Sequence, residues 1–120
     1  MKKFLAIYIG TPAAIERSQW NRLSDAERKQ REQAGVEAWS AWANKHAASI
    51  VEHGAPLGKT KRIAPEGISD IKNVMAAYTV VQAESHEAAA KLFEQHPHFT
   101  IFPGDSVEIM ECLPLPSAVA

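Results

Sequence analysis

Three histidines have residue types and positions suited to acid/base chemistry. His46 lies on a long predicted helix, and His96 and His98 flank Pro97 between a second predicted helix and the last predicted strand. An imidazole titrates near neutral pH and can therefore act as a general acid or base. Helix–strand junctions place side chains at the mouth of a fold, where small-molecule sites form. His46, His96 and His98 are accordingly the candidate catalytic residues.

Each of these histidines also has a plainer interpretation. His46 follows Trp42 by one helical turn, so it is either a half-buried residue bonded to the backbone or a base that points into the cleft between helix and sheet. His96 and His98 are either solvated residues of a loop that stops a helix or proton-transfer partners of His46. The sequence leaves both alternatives open.

A carboxylate and a set of cleft residues would complete such a site. Two neutral imidazoles cannot copy a histidine–carboxylate pair, because no anion stabilises the imidazolium that forms. We expect Asp70 or Asp105 to supply that anion. Tyr8 could instead be a core aromatic with a wet hydroxyl, and Lys59 a charge on an edge strand. The residues expected to line the pocket are Tyr8, Trp42, Lys59, Asp70 and Asp105.

Signals for metals and cofactors are weak in this sequence. The three histidines have the ligand types for zinc or iron, but their spacing matches no recognised metal motif. Gly-rich phosphate loops, nucleophile elbows and Cys-x-x-Cys pairs are absent from the sequence. We therefore predict a protein that works without a metal or a cofactor.

Composition limits the class of protein and its partners. The 120 residues are enough for one domain with its own core, and the formal net charge of −1 argues against a nucleic-acid partner. The single cysteine, Cys112, excludes an intrachain disulfide and is expected to be a small buried hydrophobe in a strand. No apolar run approaches the ~20 residues of a membrane span. We expect a cytoplasmic protein with no membrane partner.

The pattern of elements predicts an α+β fold. We expect a single domain over residues 1–113 and a C-terminal tail over residues 114–120. The order strand, helix, strand, strand, helix, strand is the ferredoxin-like βαββαβ pattern. The predicted strands are Lys3–Ile9, Leu57–Ile63, Asn73–Gln82 and Val107–Leu113, and the predicted helices run from the Ser24 capping box through Val51 and from Ser85 to Glu94.

This topology also predicts self-association. The first and third predicted strands are apolar on both faces, which suits the two central positions of the sheet. Both helices pack on one face, so the other face is bare in a monomer, and a bare apolar face of that size marks an interface. We expect a homodimer formed through the two sheet faces.

The chain resembles the YCII-related family in the order and spacing of three segments: Gly54-Ala55-Pro56-Leu57-Gly58, His96-Pro97 and Val107-Glu108-Ile109. The resemblance implies a dimeric α/β barrel of ferredoxin-like protomers. Many members carry Asp-Pro in place of His96-Pro97, and that Asp has been paired with the helix histidine, here His46. Some relatives act on chlorinated or hydroxylated aromatic compounds.

The expected function combines the histidines with this resemblance. It is a cofactor-independent acid/base enzyme, of isomerase or lyase type, acting on a small cyclic or aromatic molecule. The alternative is a non-catalytic dimeric module that binds a small organic ligand or another protein. In the alternative, the histidines tune binding and accelerate no reaction.

Overall fold

The structure, a computed structural model, describes residues 1–116. Its strands are β1 (Lys2–Ile9), β2 (Ile50–Glu52), β3 (Thr60–Ala64), β4 (Gly67–Ile71), β5 (Met75–Ala83) and β6 (Ser106–Glu111). Its α-helices are α1 (Pro12–Ser18), α2 (Asp25–Lys45), α3 (His86–Lys91) and α4 (Pro97–Thr100). Single 3₁₀ turns lie at Trp20–Arg22 and Ala47–Ser49.

The main sheet is antiparallel, with the strand order β2-β5-β1-β6. This is the ferredoxin-like arrangement, so the predicted α+β fold is confirmed. The central strands β1 and β5 are the two that the sequence marked as apolar on both faces. Burial explains why, since Phe4 and Tyr8 on one face of β1 and Ile7 and Ile9 on the other are all buried.

The register of β1 separates the two faces of the sheet. Phe4 and Tyr8 point towards the helices, where they join Val81 and Phe93 in the core. Leu5 points the other way, and lies opposite Val80 on β5 and Met110 on β6. We call this second side the outer face. It is the face that the sequence predicted to be bare.

Helix α2 begins as the sequence predicts and ends earlier. The Ser24 hydroxyl accepts from the Glu27 amide at 3.1 Å, and the Glu27 carboxylate accepts from the Ser24 amide at 2.9 Å. The prediction that the helix runs through Val51 is wrong. The amides of Ser49 and Ile50 both donate to the His46 carbonyl, which tightens the chain into a 3₁₀ turn. Ile50 then pairs with β5, where its β-branched side chain fits a strand.

The prediction that Leu57–Ile63 forms the second strand, at an edge of the main sheet, is also wrong. That edge is β2, continued by a single bridge between Pro56 and Ala77. Residues 60–64 form β3, which pairs with β4 in a separate two-stranded sheet. Asp70 lies on β4. We call the β3–β4 hairpin, residues 60–71, the arm.

Smaller differences concern the C-terminal third. Cys112 is exposed instead of buried, because β6 ends at Glu111 and the cysteine lies just beyond the sheet. Helix α3 is shorter than predicted, because it ends at Lys91. A separate short helix, α4, begins immediately after His96. The division into a domain of residues 1–113 and a tail stays a prediction, and residues 117–120 of that tail lie outside the described residues. Within residues 1–116, no helix has the length and apolar character needed to cross a membrane.

Candidate functional site

The two C-terminal histidines are held by the start of α4. His96 is the N-cap of this helix, and its Nδ1 accepts a hydrogen bond from the His98 backbone amide at 3.0 Å. Pro97 occupies the first helical turn, where its missing N–H costs nothing. Because Nδ1 accepts, the proton of neutral His96 must lie on Nε2. That Nε2 is buried and has no hydrogen-bond partner within residues 1–116.

His96 is enclosed by aromatic rings. Its ring stands at a steep angle to Trp39 and Trp42, with centroid distances of 4.5 and 4.6 Å, and lies 5.1 Å from Tyr8. Burial, together with the nearby His98 and His46, lowers the pKa of His96 to about 3. His96 is therefore neutral at pH 7. The interpretation of it as a solvated loop residue is wrong, because it is fully buried.

His98 is buried beside it, with a different set of contacts. Its Nε2–H donates to the Ile9 carbonyl at 2.8 Å, which fixes the ring against the end of β1. Burial lowers the pKa of His98, while the Ile9 bond and the negative charge of Asp105 oppose that shift. The neutral form is thus favoured, yet a carboxylate lies close enough to stabilise the cation. His98 is not a solvated loop residue either.

Asp105 is held in turn by two donors. Arg17 donates to one carboxylate oxygen at 3.1 Å, and the Ser106 hydroxyl donates to the other at 2.8 Å. These hydrogen bonds, led by that of Ser106, lower the pKa of Asp105 and keep it ionised. Asp70 and Asp105 were the two carboxylates expected from the sequence. Asp105 is the one whose charge acts on a histidine, His98.

His46 lies at the other side of Trp42. It is the C-cap of α2 and half-buried, with its ring 5.6 Å from the Trp42 ring. Burial lowers the pKa of His46, and the charge of Lys45 adds to that effect. Trp42 contacts both His46 and His96, and within residues 1–116 no hydrogen bond joins the two imidazoles.

A cavity of about 460 Å³ opens next to His98. It lies between α2, the segment after β2, strand β5 and the loop after α4. This volume is in the range of small-molecule pockets. The wall is mostly apolar and aromatic, and it includes two histidines, His53 and His98. Its lining residues are Val36, Trp39, Ser40, His53, Gly54, Ala55, Pro56, Ala77, Tyr78, His98 and Phe102.

A second cavity of about 470 Å³ adjoins the first and shares Trp39, Ser40 and His53 with it. Thr79 belongs to this second cavity and donates its hydroxyl proton to the His53 carbonyl at 3.1 Å. The Tyr8 hydroxyl, 2.9 Å from Thr79 Oγ1, must therefore donate to it. Burial raises the pKa of Tyr8 to about 12, so its hydroxyl stays neutral. Trp42 also lines this cavity.

Lys59 and Asp70 lie elsewhere. They line a groove of about 770 Å³ at the base of the arm, which has no lining residue in common with the histidine cavities. Asp70 accepts from Lys61 across the hairpin at 2.6 Å. The structure thus brings together Tyr8, Trp42, His96 and His98, with Asp105 close to His98, and leaves Lys59 and Asp70 apart. Within residues 1–116, no three histidine, cysteine, aspartate or glutamate side chains group as metal ligands.

Sequence reasoning missed two contributors to the cavity. His53 lies in the wall of both cavities. It directly precedes Gly54, whose φ is positive, and that position next to a glycine was the signal that could have identified it. Phe102 reaches the cavity because Gly35 on α2 leaves room for its ring. A Cβ at position 35 would lie 2.4 Å from the Phe102 ring.

Comparison with known proteins supports the fold. The chain matches no protein-family model, and no curated protein matches it. Among solved structures it is similar to 5-chloro-2-hydroxyhydroquinone dehydrochlorinase (TftG) from Burkholderia phenoliruptrix AC1100, in complex with 2,5-dihydroxybenzoquinone. The TM-score is 0.52 at 16% identity, over 90% of each chain. At this identity the likeness shows the fold alone, and membership of the YCII-related family stays a prediction.

Proposed function

We propose that this protein binds a small cyclic or aromatic molecule in the cavity beside His98 and catalyses a proton transfer on it without a cofactor. The observation that carries the proposal is His98 itself. It is a neutral, buried imidazole, fixed by the Ile9 carbonyl and within the field of Asp105, in the wall of an aromatic cavity. The name of the structural neighbour, a dehydrochlorinase of a hydroxylated aromatic, is in keeping with that class of substrate.

The chemistry follows from the state of this imidazole. A neutral His98 would take a proton from an acidic C–H or O–H of the ring, and Asp105 would stabilise the imidazolium. In an isomerisation the proton returns to another atom of the ring. In an elimination the electron pair of the broken C–H bond forms the new double bond, and the leaving group departs with its bonding pair. The reaction is therefore of isomerase or lyase type.

The other candidate histidines have different proposed roles. His96 would act as a positioning residue, because its Nδ1 holds the His98 amide and its pKa keeps it neutral. His46 stays a candidate acid or base at the end of α2, behind Trp42. His53, in the wall of both cavities, is a further candidate for proton return.

A binding test comes first. Hydroxylated aromatics, with 2,5-dihydroxybenzoquinone as the first probe, should quench the fluorescence of Trp39 in the cavity wall and give a calorimetric signal. His98→Asn should weaken binding by at least tenfold and abolish turnover, which is followed by the absorbance spectrum of the ring compound. His86→Asn is the matched control, since His86 is exposed and lies outside the cavity lining. Equal binding by the His98 variant would contradict the proposal.

One observation favours the alternative of a non-catalytic ligand-binding module. The predicted proton-transfer partner, His96, has a pKa of about 3 and cannot exchange protons near pH 7. A protein that binds these probes tightly, and converts none of them at any pH from 5 to 9, would have this second function.

The proposal includes a homodimer formed through the outer faces of two sheets, in a cytoplasmic setting. Leu5, Val80 and Met110 share one row of the outer face, and Met110 is 42% exposed. An apolar row of this kind on a two-sided sheet supports pairing with a second copy.

A further inference from the structure

The arm stands apart from the rest of the molecule. Its strands β3 and β4 pair from Thr60–Ile71 to Ala64–Gly67, and among the described residues their extensive contacts are with each other. A two-stranded hairpin by itself is marginally stable in water. The two ion pairs on the arm, Lys61–Asp70 and Arg62–Glu66, are exposed and add little stability. Within the described residues, the arm therefore has little to stabilise it beyond its own strand pairing.

The arm carries an apolar pair that faces solvent. Ile63 and Ile68 lie directly opposite each other across the hairpin and are 77% and 70% exposed. A cross-strand pair of β-branched side chains is the kind of contact that stabilises a sheet when it is covered. Within residues 1–116 of a single chain, most of the surface of these two side chains stays exposed to solvent.

Charge indicates what the arm packs on. The arm itself has two basic and two acidic side chains, and Lys59 and Lys72 flank it at its base, so residues 59–72 carry a net charge of +2 in a chain whose total is −1. Lys59 and Lys72 form no ion pair within the described residues. The outer face of the main sheet carries one basic side chain, Lys3, and two acidic ones, so its net charge has the opposite sign. Glu108 points outward beside Ile7, and Glu52 accepts a hydrogen bond from the Tyr78 hydroxyl there.

We infer that the arm of one copy lies across the outer sheet face of a second copy, so that the arm is the element that locks the dimer. Ile63 and Ile68 would cover Met110 at the β6 edge of the outer face and leave Leu5 and Val80 to the contact between the two sheets, while the free lysines meet the outer-face glutamates. The inference rests on the homodimer proposed above and adds the arm to it.

Geometry and symmetry favour a second copy as the occupant. Five residues of strand span about 16 Å, and four paired strands are about 14 Å across, so the arm is long enough to cross the sheet. The same chain carries both the apolar arm with its two flanking lysines and the apolar outer face with its two glutamates. Two such surfaces on one chain satisfy each other in a closed twofold pair.

Sedimentation of the full chain tests this inference. Wild-type protein should be a dimer, and Ile63→Asp/Ile68→Asp should raise the dimer dissociation constant at least 100-fold with an unchanged circular dichroism spectrum. Leu115→Asp is the matched control, because Leu115 is 78% exposed and lies outside the arm. It should leave the constant within about twofold of wild type. Monomeric wild-type protein would overturn both the dimer and the role of the arm.

A sheet variant separates the two proposals. If Met110→Asp dissociates the dimer and the arm variant does not, the sheet-face dimer stands and the arm inference fails. A charge exchange gives an independent check. Lys59→Glu/Lys72→Glu should weaken the dimer at least tenfold at low salt, and Glu108→Lys in the same chain should restore most of that loss. Failure of the exchange to restore association would contradict the assigned pairing.

Discussion

The His98 backbone amide donates to Nδ1 of His96 at 3.0 Å, and this hydrogen bond makes the protonation of His96 incompatible with the cap of α4. A proton on Nδ1 would remove the lone pair that accepts from the amide. Nε2 already carries the proton of the neutral ring and is buried. His96 is thus a titratable residue whose cap requires the neutral ring. Burial, aided by the nearby His98 and His46, keeps it neutral by lowering its pKa to about 3.

This relationship predicts acid destabilisation. Above pH 6.5 the ring is neutral in both states and its contribution to stability is complete. Between pH 6.5 and about 3 the unfolded chain binds a proton at His96 and the folded chain does not, so the free energy of unfolding falls as pH is lowered. Well inside this window the slope is about 1.4 kcal/mol per pH unit.

Urea unfolding at pH 7.5, 6.5 and 5.5 measures that slope. His96→Asn keeps an N-cap oxygen but cannot titrate, so its stability should vary less with pH than that of the wild type. Parallel pH profiles for the two proteins would contradict the assignment.

Gly35 controls the position of Phe102 in the cavity wall. A methyl group added there would lie 2.4 Å from the Phe102 ring, so Gly35→Ala must displace that ring. We expect a stability loss of about 1–3 kcal/mol from overpacking, partly offset by about 1 kcal/mol of better helix propensity. Ligand affinity should fall more clearly than stability.

The control for this variant is Gly58→Ala, where an added Cβ meets nothing within 4 Å. Its melting temperature and ligand affinity should match those of the wild type. Unchanged ligand affinity in the Gly35 variant would show that Phe102 does not shape the binding cavity.

Gly54 is required by both its conformation and its neighbour. Its φ is +76°, and a Cβ there would lie 1.8 Å from the Tyr78 carbonyl oxygen. Gly54→Ala should therefore lower the free energy of unfolding by about 3 kcal/mol or more. Gly67→Ala separates the two causes, because Gly67 also has a positive φ but an open surrounding. Denaturation midpoints that are equal for the two variants would contradict the steric part of this explanation.

The direction of the Tyr8–Thr79 hydrogen bond predicts that removing the hydroxyl of Thr79 costs more stability than removing the hydroxyl of Tyr8. Tyr8→Phe removes one donor and leaves Thr79 still bonded to the His53 carbonyl, so we expect a loss of about 1 kcal/mol. Thr79→Val leaves the buried Tyr8 hydroxyl and the His53 carbonyl without partners, and should cost about 2–4 kcal/mol. Chemical denaturation of both variants measures the difference. A larger loss for Tyr8→Phe would contradict the donor direction assigned here.

The sequence by itself determined the features that depend on near neighbours in the chain. The alternation in Lys3–Ile9 and Asn73–Gln82 marked the two central strands, because a strand buried on both faces has apolar residues on both. The Ser24–Glu27 capping box located the start of α2 for the same local reason. With these elements in order, the ferredoxin-like topology followed.

Only the tertiary structure decided the environment of each histidine and the course of residues 50–71. Burial of His96 depends on Trp39 and Trp42, which lie more than fifty residues away in the chain. The early end of α2 depends on the pairing of Ile50 with β5, which the apolar helical spacing of that segment concealed. Local patterns specify what a segment can form, whereas burial and strand pairing are set by distant contacts that decide which of those forms is most stable.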